Sequence, residues 1–317
     1  MKTKNKNKQH EPVLLKEVLK LLDPQEGDSY LDLTAGYGGH AGSVIAKTRR
    51  SDLTVLVDRD SRAISELKEL FGTGPKLVHQ DFFTASKDLV KSAKQFDLIL
   101  VDLGVSSLHL NEGQRGFSFQ QDGPLDMRMD QRQELTADTI VNTKDKDEIE
   151  RILKVYGEEP KAGLIAEAIV KNRPIGSTTE LAALIGAVYG GHRHNHPATQ
   201  TFQALRIAVN NELKLLTDSL PLWLKLLAPG GRLAIISFHS LEDRIVKQFL
   251  AEYGGGHYDS LLKLLTKHPV RASPSELVHN PRARSAKLRA AVKIKRKGVA
   301  QNANTGKKQI PSVQGKS

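Results

Sequence analysis

Asp32-Leu33-Thr34-Ala35-Gly36-Tyr37-Gly38-Gly39-His40 places a carboxylate, three glycines and a histidine at a strand-to-helix turn. Glycines let a backbone turn tightly and approach a ligand, and a helix N-terminus offers free N–H groups. Asp58 ends the next strand, 22 residues after Gly36, where a carboxylate accepts from a ribose diol. Gly36, Gly38 and Ala41 also satisfy a loose nicotinamide fingerprint, so this pair alone does not separate NAD from S-adenosylmethionine. A tight turn with no ligand is the plain alternative. Asp32 argues against NAD, because it would repel a pyrophosphate but suit a cationic ammonium. His79-Gln80-Asp81-Phe82 follows the third strand, where an acid and an apolar ring would bracket an adenine. Phe82 taken singly reads as core.

Asp102-Leu103-Gly104-Val105-Ser106-Ser107 leaves the fourth strand at the carboxyl edge, where open α/β sheets bind ligands. Asp102 reads either as a turn cap or as the acid that amino-group methyltransferases place here. Their usual two prolines and aromatic are replaced by Leu103, Gly104 and Val105, so another residue must hold the base. Ser237-Phe238-His239-Ser240-Leu241-Glu242-Asp243 leaves the fifth strand toward the same edge. No Gly-x-Ser-x-Gly elbow accompanies it, which argues against a hydrolase. His239 is a pocket-lining or proton-accepting candidate. His192, His194 and His196 alternate without a carboxylate at ligand spacing, so a surface loop is favoured over a metal site. Arg115-Gly116-Phe117-Ser118-Phe119 mixes cation and aromatics as RNA-contact loops do; a buried hinge would look the same.

The elements that must position these residues alternate. Short strands at Tyr30–Leu33, Leu53–Val57, Lys76–His79 and Phe96–Val101 are separated by helical patterns, among them His40–Lys47 and Ser61–Phe71. That order predicts an α/β fold, a parallel doubly wound sheet with helices on both faces. The alternation stops after Ser107. Residues 108–195 show no good strand and read as an inserted helical domain, with helices over Asp145–Val155, Lys161–Lys171 and from Ser177 to Gly190. The α/β pattern resumes with a long helix over Ala198–Leu216, a strand over Arg232–Phe238, a helix over Leu241–Tyr253 and a last strand over Lys287–Ile294. The sheet domain is therefore discontinuous, 10–107 and 196–297.

Of 317 residues, 39% are hydrophobic and 26% charged, enough for a substantial core. No apolar run approaches the roughly 18–20 residues of a membrane span. Residues 1–9 do not read as a secretory signal. There is no cysteine, which excludes disulfides and thiol chemistry and fits a reducing compartment. The net charge of +11 is unevenly spread. Residues 1–10 carry four Lys, residues 267–317 carry thirteen Lys and Arg against Glu276 alone, and the body is left at −5. Basic edges on such a body point to a polyanionic partner, nucleic acid first, or to solvating tails. Residues 1–9 and 298–317 lack periodicity and are expected to be disordered.

Taken together, several stretches are specific. They are His10-Glu11-Pro12-Val13, the Gly-Gly-His turn, Asp58-Arg59-Asp60, Asp102 to Ser107, Arg115 to Phe119, Asp122 to Met129, His196-Pro197-Ala198-Thr199, Ser237 to Arg244 and Asn280-Pro281-Arg282-Ala283-Arg284-Ser285. In this order they closely resemble the bacterial 16S rRNA cytosine-N4 methyltransferases, the RsmH/MraW family, from about His10 to Arg296. The resemblance implies a class I S-adenosylmethionine-dependent methyltransferase fold, Rossmann-like, with an inserted substrate-recognition domain. It implies N4-methylation of a decoding-centre cytidine, the small ribosomal subunit as partner, and a cytoplasmic location. Residue by residue, it matches Gly38, Gly39, His40, Asp58, Phe82 and the strand-end acid Asp102 to the family's cofactor side, with His109 as a further contact. The residues' own chemistry makes Asp102 and His239 the catalytic candidates, and charge and pattern make Arg115, Arg282 and Arg284 the RNA candidates. His109 departs from a Gln expected at that position. No metal is implied. Two alternatives are a DNA amino-methyltransferase, disfavoured by the missing proline–aromatic motif, and a non-catalytic RNA-binding assembly protein, disfavoured by the intact acids. The oligomeric state stays open, a homodimer included.

Overall fold

The computed structural model describes residues 12–104, 113–190, 196–256 and 258–294. His109, Ser106, Ser107, His192, His194 and the terminal segments 1–9 and 298–317 lie outside them.

Seven strands form one sheet: β1 (Tyr30–Asp32), β2 (Thr54–Asp58), β3 (Lys76–His79), β4 (Phe96–Asp102), β5 (Leu227–Ser237), β6 (Leu262–Leu264) and β7 (Lys287–Lys293). Their spatial order is β3-β2-β1-β4-β5-β7-β6. The first five are parallel, while β7 runs antiparallel to β5 and β6 antiparallel to β7. This is the class I methyltransferase sheet, with the strand order reversing at β1 and β4. Open sheets of this type bind ligands at the carboxyl edge of such a switch point.

Alternate strand residues face opposite helical layers, which is why the central strands read as continuous apolar runs. Leu31, Val57, Ile99, Val101 and Ile235 point to one side. There they meet α4 (Phe82–Lys91), α10 (Glu212–Leu226) and α11 (Ser240–Gly254). Tyr30, Leu56, Leu98, Leu100 and Ile236 point to the other. There they meet α1 (Leu15–Leu22), α2 (Gly39–Thr48) and α3 (Ser61–Phe71).

The insertion has its own core. It is built on α5 (Ala137–Thr143), α6 (Lys146–Gly157), α7 (Ala162–Lys171), α8 (Thr178–Tyr189) and α9 (Thr199–Asn210). Here the structure corrects the sequence reading. The expected single helix over 198–216 is two helices, broken at Asn211, whose φ of 50° and ψ of 35° are left-handed. Ala198, Phe202, Ala204, Leu205 and Val209 pack with the insertion, whereas Leu216, Leu220 and Trp223 pack under the sheet. The change from one core to the other along the chain therefore falls at Asn211.

Candidate active site

The carboxyl ends of β1, β2 and β4 carry Asp32, Asp58 and Asp102. In register, Asp32 lies opposite Leu56 and Leu100, and Asp102 opposite Ile236, so the acids share one edge.

Asp32 is 1% exposed and accepts from the Tyr30 hydroxyl at 2.7 Å and the Thr34 N–H at 3.1 Å. Burial raises its carboxyl to about 7, against the lowering effect of those two bonds. Asp58 accepts from the Gly36 N–H and the Asp60 N–H, both at 2.8 Å. It thus ties the glycine turn to the start of α3 while leaving further lone pairs on each oxygen. Its partner in the turn, Gly36, adopts a φ of 51°, and a Cβ there would meet nothing closer than 3.9 Å.

Gly38 and Gly39 have a different reason to be glycine. A Cβ on Gly38 (φ +79°) would lie 2.8 Å from the Phe71 ring, and one on Gly39 would lie 2.6 Å from Pro12 Cγ. Both let the first turn of α2 sit close against its own domain. No side chain caps that helix, so its first N–H groups face the edge without a side-chain acceptor.

His40 opens α2 and is 7% exposed, yet neither ring nitrogen has a hydrogen-bond partner. Its Nε2 stands 3.7 Å from Asp102 Oδ2. Burial lowers the imidazole to about 4, so it is neutral at pH 7 and holds one donor and one acceptor. Asp102 is fixed from behind, its N–H donating to Thr34 Oγ1 at 2.6 Å. Its Oδ1 is buried without a partner. Burial, then the charges of Asp32 and Glu242, push this carboxyl well above the usual range. Beside it, Gly104 takes φ +104° against the Phe238 ring, 3.3 Å from where a Cβ would stand.

His239 is a helix cap. Its Nδ1 accepts from the Glu242 N–H at 3.4 Å, and Glu242 Oε2 accepts from the Phe238 N–H at 2.8 Å. Nε2 lies 3.2 Å from Glu242 Oε1, off the line a hydrogen bond needs. Nδ1 is thus engaged by the helix cap, and Nε2 is the ring nitrogen that faces Glu242. Glu212 joins this cluster and accepts from Nε and Nη2 of Arg206, both at 2.9 Å. Burial would raise Glu242, but His239, Arg206 and the Phe238 N–H hold it below its ordinary value.

The structure does not bring all expected site residues together. Phe82, 8% exposed, sits in the sheet core with its ring edge-on to Trp223 at 5.8 Å. Arg115 is 5% exposed and donates to the Arg128 and Met129 carbonyls at 2.9 and 3.2 Å. One terminal nitrogen of its guanidinium is thus tied to the backbone of its own chain, while Nε is buried without a partner. Arg282 and Arg284 lie just before Lys287, which pairs with Ser237 at the carboxyl edge. Arg284 is exposed and Arg282 half-buried. Thr34, Tyr30, Arg206 and Glu212 were not singled out in the sequence. Tyr30 and Asp32, two apart on one strand face, carried a readable signal; the ion pair across Asn211 did not.

Orphaned nitrogens on His40, an orphaned Asp102 Oδ1 and three clustered carboxylates suit a cationic ligand that also brings hydrogen-bonding groups. They are hostile to a pyrophosphate. The MraW methylase family matches residues 7–294. The chain belongs to the MraW methylase family. This methylase is 44% identical to the "Ribosomal RNA small subunit methyltransferase H" of Thermomicrobium roseum over 314 residues, covering 91% of this chain and 95% of the relative. Relatives of the same name from Cyanothece sp. and Nostoc sp. are each 46% identical, covering 90% and 92% of this chain and 95% of each relative. The methylase uses S-adenosylmethionine, and the acidic edge fits that group's sulfonium and ammonium.

Proposed function

We propose that this methylase transfers a methyl group to the exocyclic N4 of a cytidine in the decoding centre of small-subunit ribosomal RNA. The observation that carries the reading is Asp102, a half-buried acid with a buried, unpartnered Oδ1 at the switch point, beside an orphaned histidine and two residues before a glycine packed on the Phe238 ring. The curated relatives, named for small-subunit ribosomal RNA and covered almost end to end, supply the substrate.

S-adenosylmethionine, when bound, supplies a methyl group on a sulfonium cation, electrophilic without further activation. Asp58 would hold the ribose hydroxyls, Asp32 the ammonium, and the uncapped first turn of α2 with His40 the carboxylate. A cleft of about 200 Å³ opens next to Arg59, the residue after Asp58. Arg59 and Asp81 line it from the sheet domain, Asp130 and Gln133 from the insertion, and Asn211 between α9 and α10.

The N4 of cytosine is a poor nucleophile, because its lone pair is delocalised into the ring. Asp102 Oδ1 accepts one N4–H, and the Leu103 or Gly104 carbonyl the other, favouring a tetrahedral nitrogen. As the N–C bond forms the methyl–sulfur bond would break, releasing neutral S-adenosylhomocysteine, and the N4 proton passes to Asp102, whose raised affinity for protons suits it to receive one. Phe238 takes the place of the aromatic missing from the Asp102 motif and flanks the base, which must leave any stack to arrive there. Catalysis rests on positioning and on stabilising the developing charge.

The test is transfer of labelled methyl from S-adenosylmethionine to purified small ribosomal subunits, to free 16S rRNA and to duplex DNA. The label should appear in RNA as N4-methylcytidine. Label confined to DNA, or on C5 of the base, would refute the reading.

A further inference from the structure

One aromatic group remains unused by the reaction. The Phe119 and His196 rings stack with centroids 4.4 Å apart and planes 19° from parallel. Phe202, buried in the core of the insertion, meets Phe119 edge-on at 5.2 Å. Phe119 is half-buried and His196 exposed, so the stack starts in the core and ends on an open imidazole face. That ring is not free to swing. Its Nδ1 accepts the Ala198 N–H at 3.2 Å, and its carbonyl accepts the Thr199 N–H and hydroxyl at 3.0 and 2.8 Å.

The stack also stands on the active-site rim. One turn further along α9, Gln200 donates to the Glu158 carbonyl, and the Glu158 carboxylate accepts from Ser240 Oγ and Arg244. Ser240 directly follows His239 at the carboxyl edge. An oriented, exposed ring over an RNA-methylating edge has a specific use. Extruding the target cytidine leaves its neighbours with a broken stack. A fixed aromatic face restores it at little cost in side-chain entropy, and base–aromatic stacking tolerates any base.

We propose that His196, backed by Phe119, is the stacking platform for an unpaired nucleobase next to the target cytidine. This deepens the rRNA reading above and rests on it. Two variants separate stacking from capping. His196→Asn retains a side-chain acceptor for the Ala198 N–H and removes the ring; His196→Phe retains the ring and removes the acceptor. Binding is measured with S-adenosylhomocysteine present, on RNA fragments carrying the target cytidine. A series of these fragments has an abasic nucleotide at each flanking position in turn.

For wild type, one abasic position should weaken binding about tenfold. His196→Asn should weaken binding of the intact RNA by a similar factor and show no added loss at that position. His196→Phe should stay near wild type, and cofactor affinity should not change in either variant. Equal loss in both variants would assign His196 to the helix cap and overturn the platform. So would an Asn variant that binds intact RNA like wild type, or an abasic profile that ignores the ring. A wild-type protein that methylates no small-subunit RNA would instead sink the functional reading, and the platform with it.

Discussion

At the scale of single residues, the edge is a set of acids whose protonation the fold controls. Asp32 titrates near 7 in the folded chain, against 3.8 for the free side chain, because it is buried. The fold therefore favours its neutral form. Its contribution to stability is full below pH 4 and is lost as pH rises through 7, an effect on the order of 4 kcal/mol. Asp32→Asn should remove this component. The difference in unfolding free energy between variant and wild type, followed by denaturant titration from pH 4 to 8, should grow with pH in the variant's favour. A difference that stays flat would mean Asp32 is ionised in the fold throughout. The same substitution should weaken S-adenosylmethionine binding, since the ammonium loses its partner. For Asp58 the account expects a fall in cofactor affinity of more than tenfold on changing it to Ala, from charge-assisted bonds of about 1.5–3 kcal/mol each. Calorimetric titration checks it. Because Asp58 also holds the Gly36 and Asp60 N–H groups, Asp58→Asn is the gentler control for the turn.

At the scale of elements, the seam between insertion and sheet is an ion-pair network. Arg206 on α9, Glu212 at the start of α10 and Glu242 on α11 meet around one half-buried guanidinium. Removing only the cation leaves two buried carboxylates, at a cost of about 3–5 kcal/mol. Arg206→Ala should therefore lower thermal stability sharply, and Arg206→Met with Glu212→Gln should restore much of it. Thermal melts of the three proteins decide this; an undisturbed melt for Arg206→Ala would mean the network is solvated. Elements of this kind also mark where the sequence was legible. The strand acids could be read, because apolar runs ending in Asp alternate with helices. The break at Asn211 could not: α9 and α10 share one unbroken periodic pattern, and only packing reveals that they serve different cores. α4 had a readable start in Asp81, which accepts from the Phe83 and Thr84 N–H groups, yet that acid was read as a ligand contact. Arg115 shows the converse limit. A cation among aromatics looks the same in sequence whether it meets a phosphate or the carbonyls of its own chain.

At the scale of the whole molecule, an acidic body presents an acidic cofactor edge to a polyanion, so the approach of RNA needs cations on the rim. The segment ahead of β7 is the candidate we propose, since Lys287 pairs with Ser237 at the carboxyl edge and Arg284, three residues earlier, is exposed. Arg284→Ala should weaken RNA binding and flatten its salt dependence by roughly 0.7–0.9 log units per log unit of salt. Equal slopes for variant and wild type would place Arg284 outside the interface.

The central claim, that Asp102 prepares the cytidine N4, is tested most directly by single-turnover transfer to small-subunit rRNA at saturating S-adenosylmethionine. Asp102→Ala should transfer at least ~10²-fold more slowly than wild type, as expected for losing one preorganised group. Asp102→Asn, which keeps an acceptor but not the charge, should fall between them. The wild-type rate should drop as pH falls through the raised Asp102 value, because the protonated acid has lost its charge and cannot take up the N4 proton. A near-wild-type rate for Asp102→Ala, with cofactor still saturating, would contradict the account and reduce Asp102 to a cap at the end of β4.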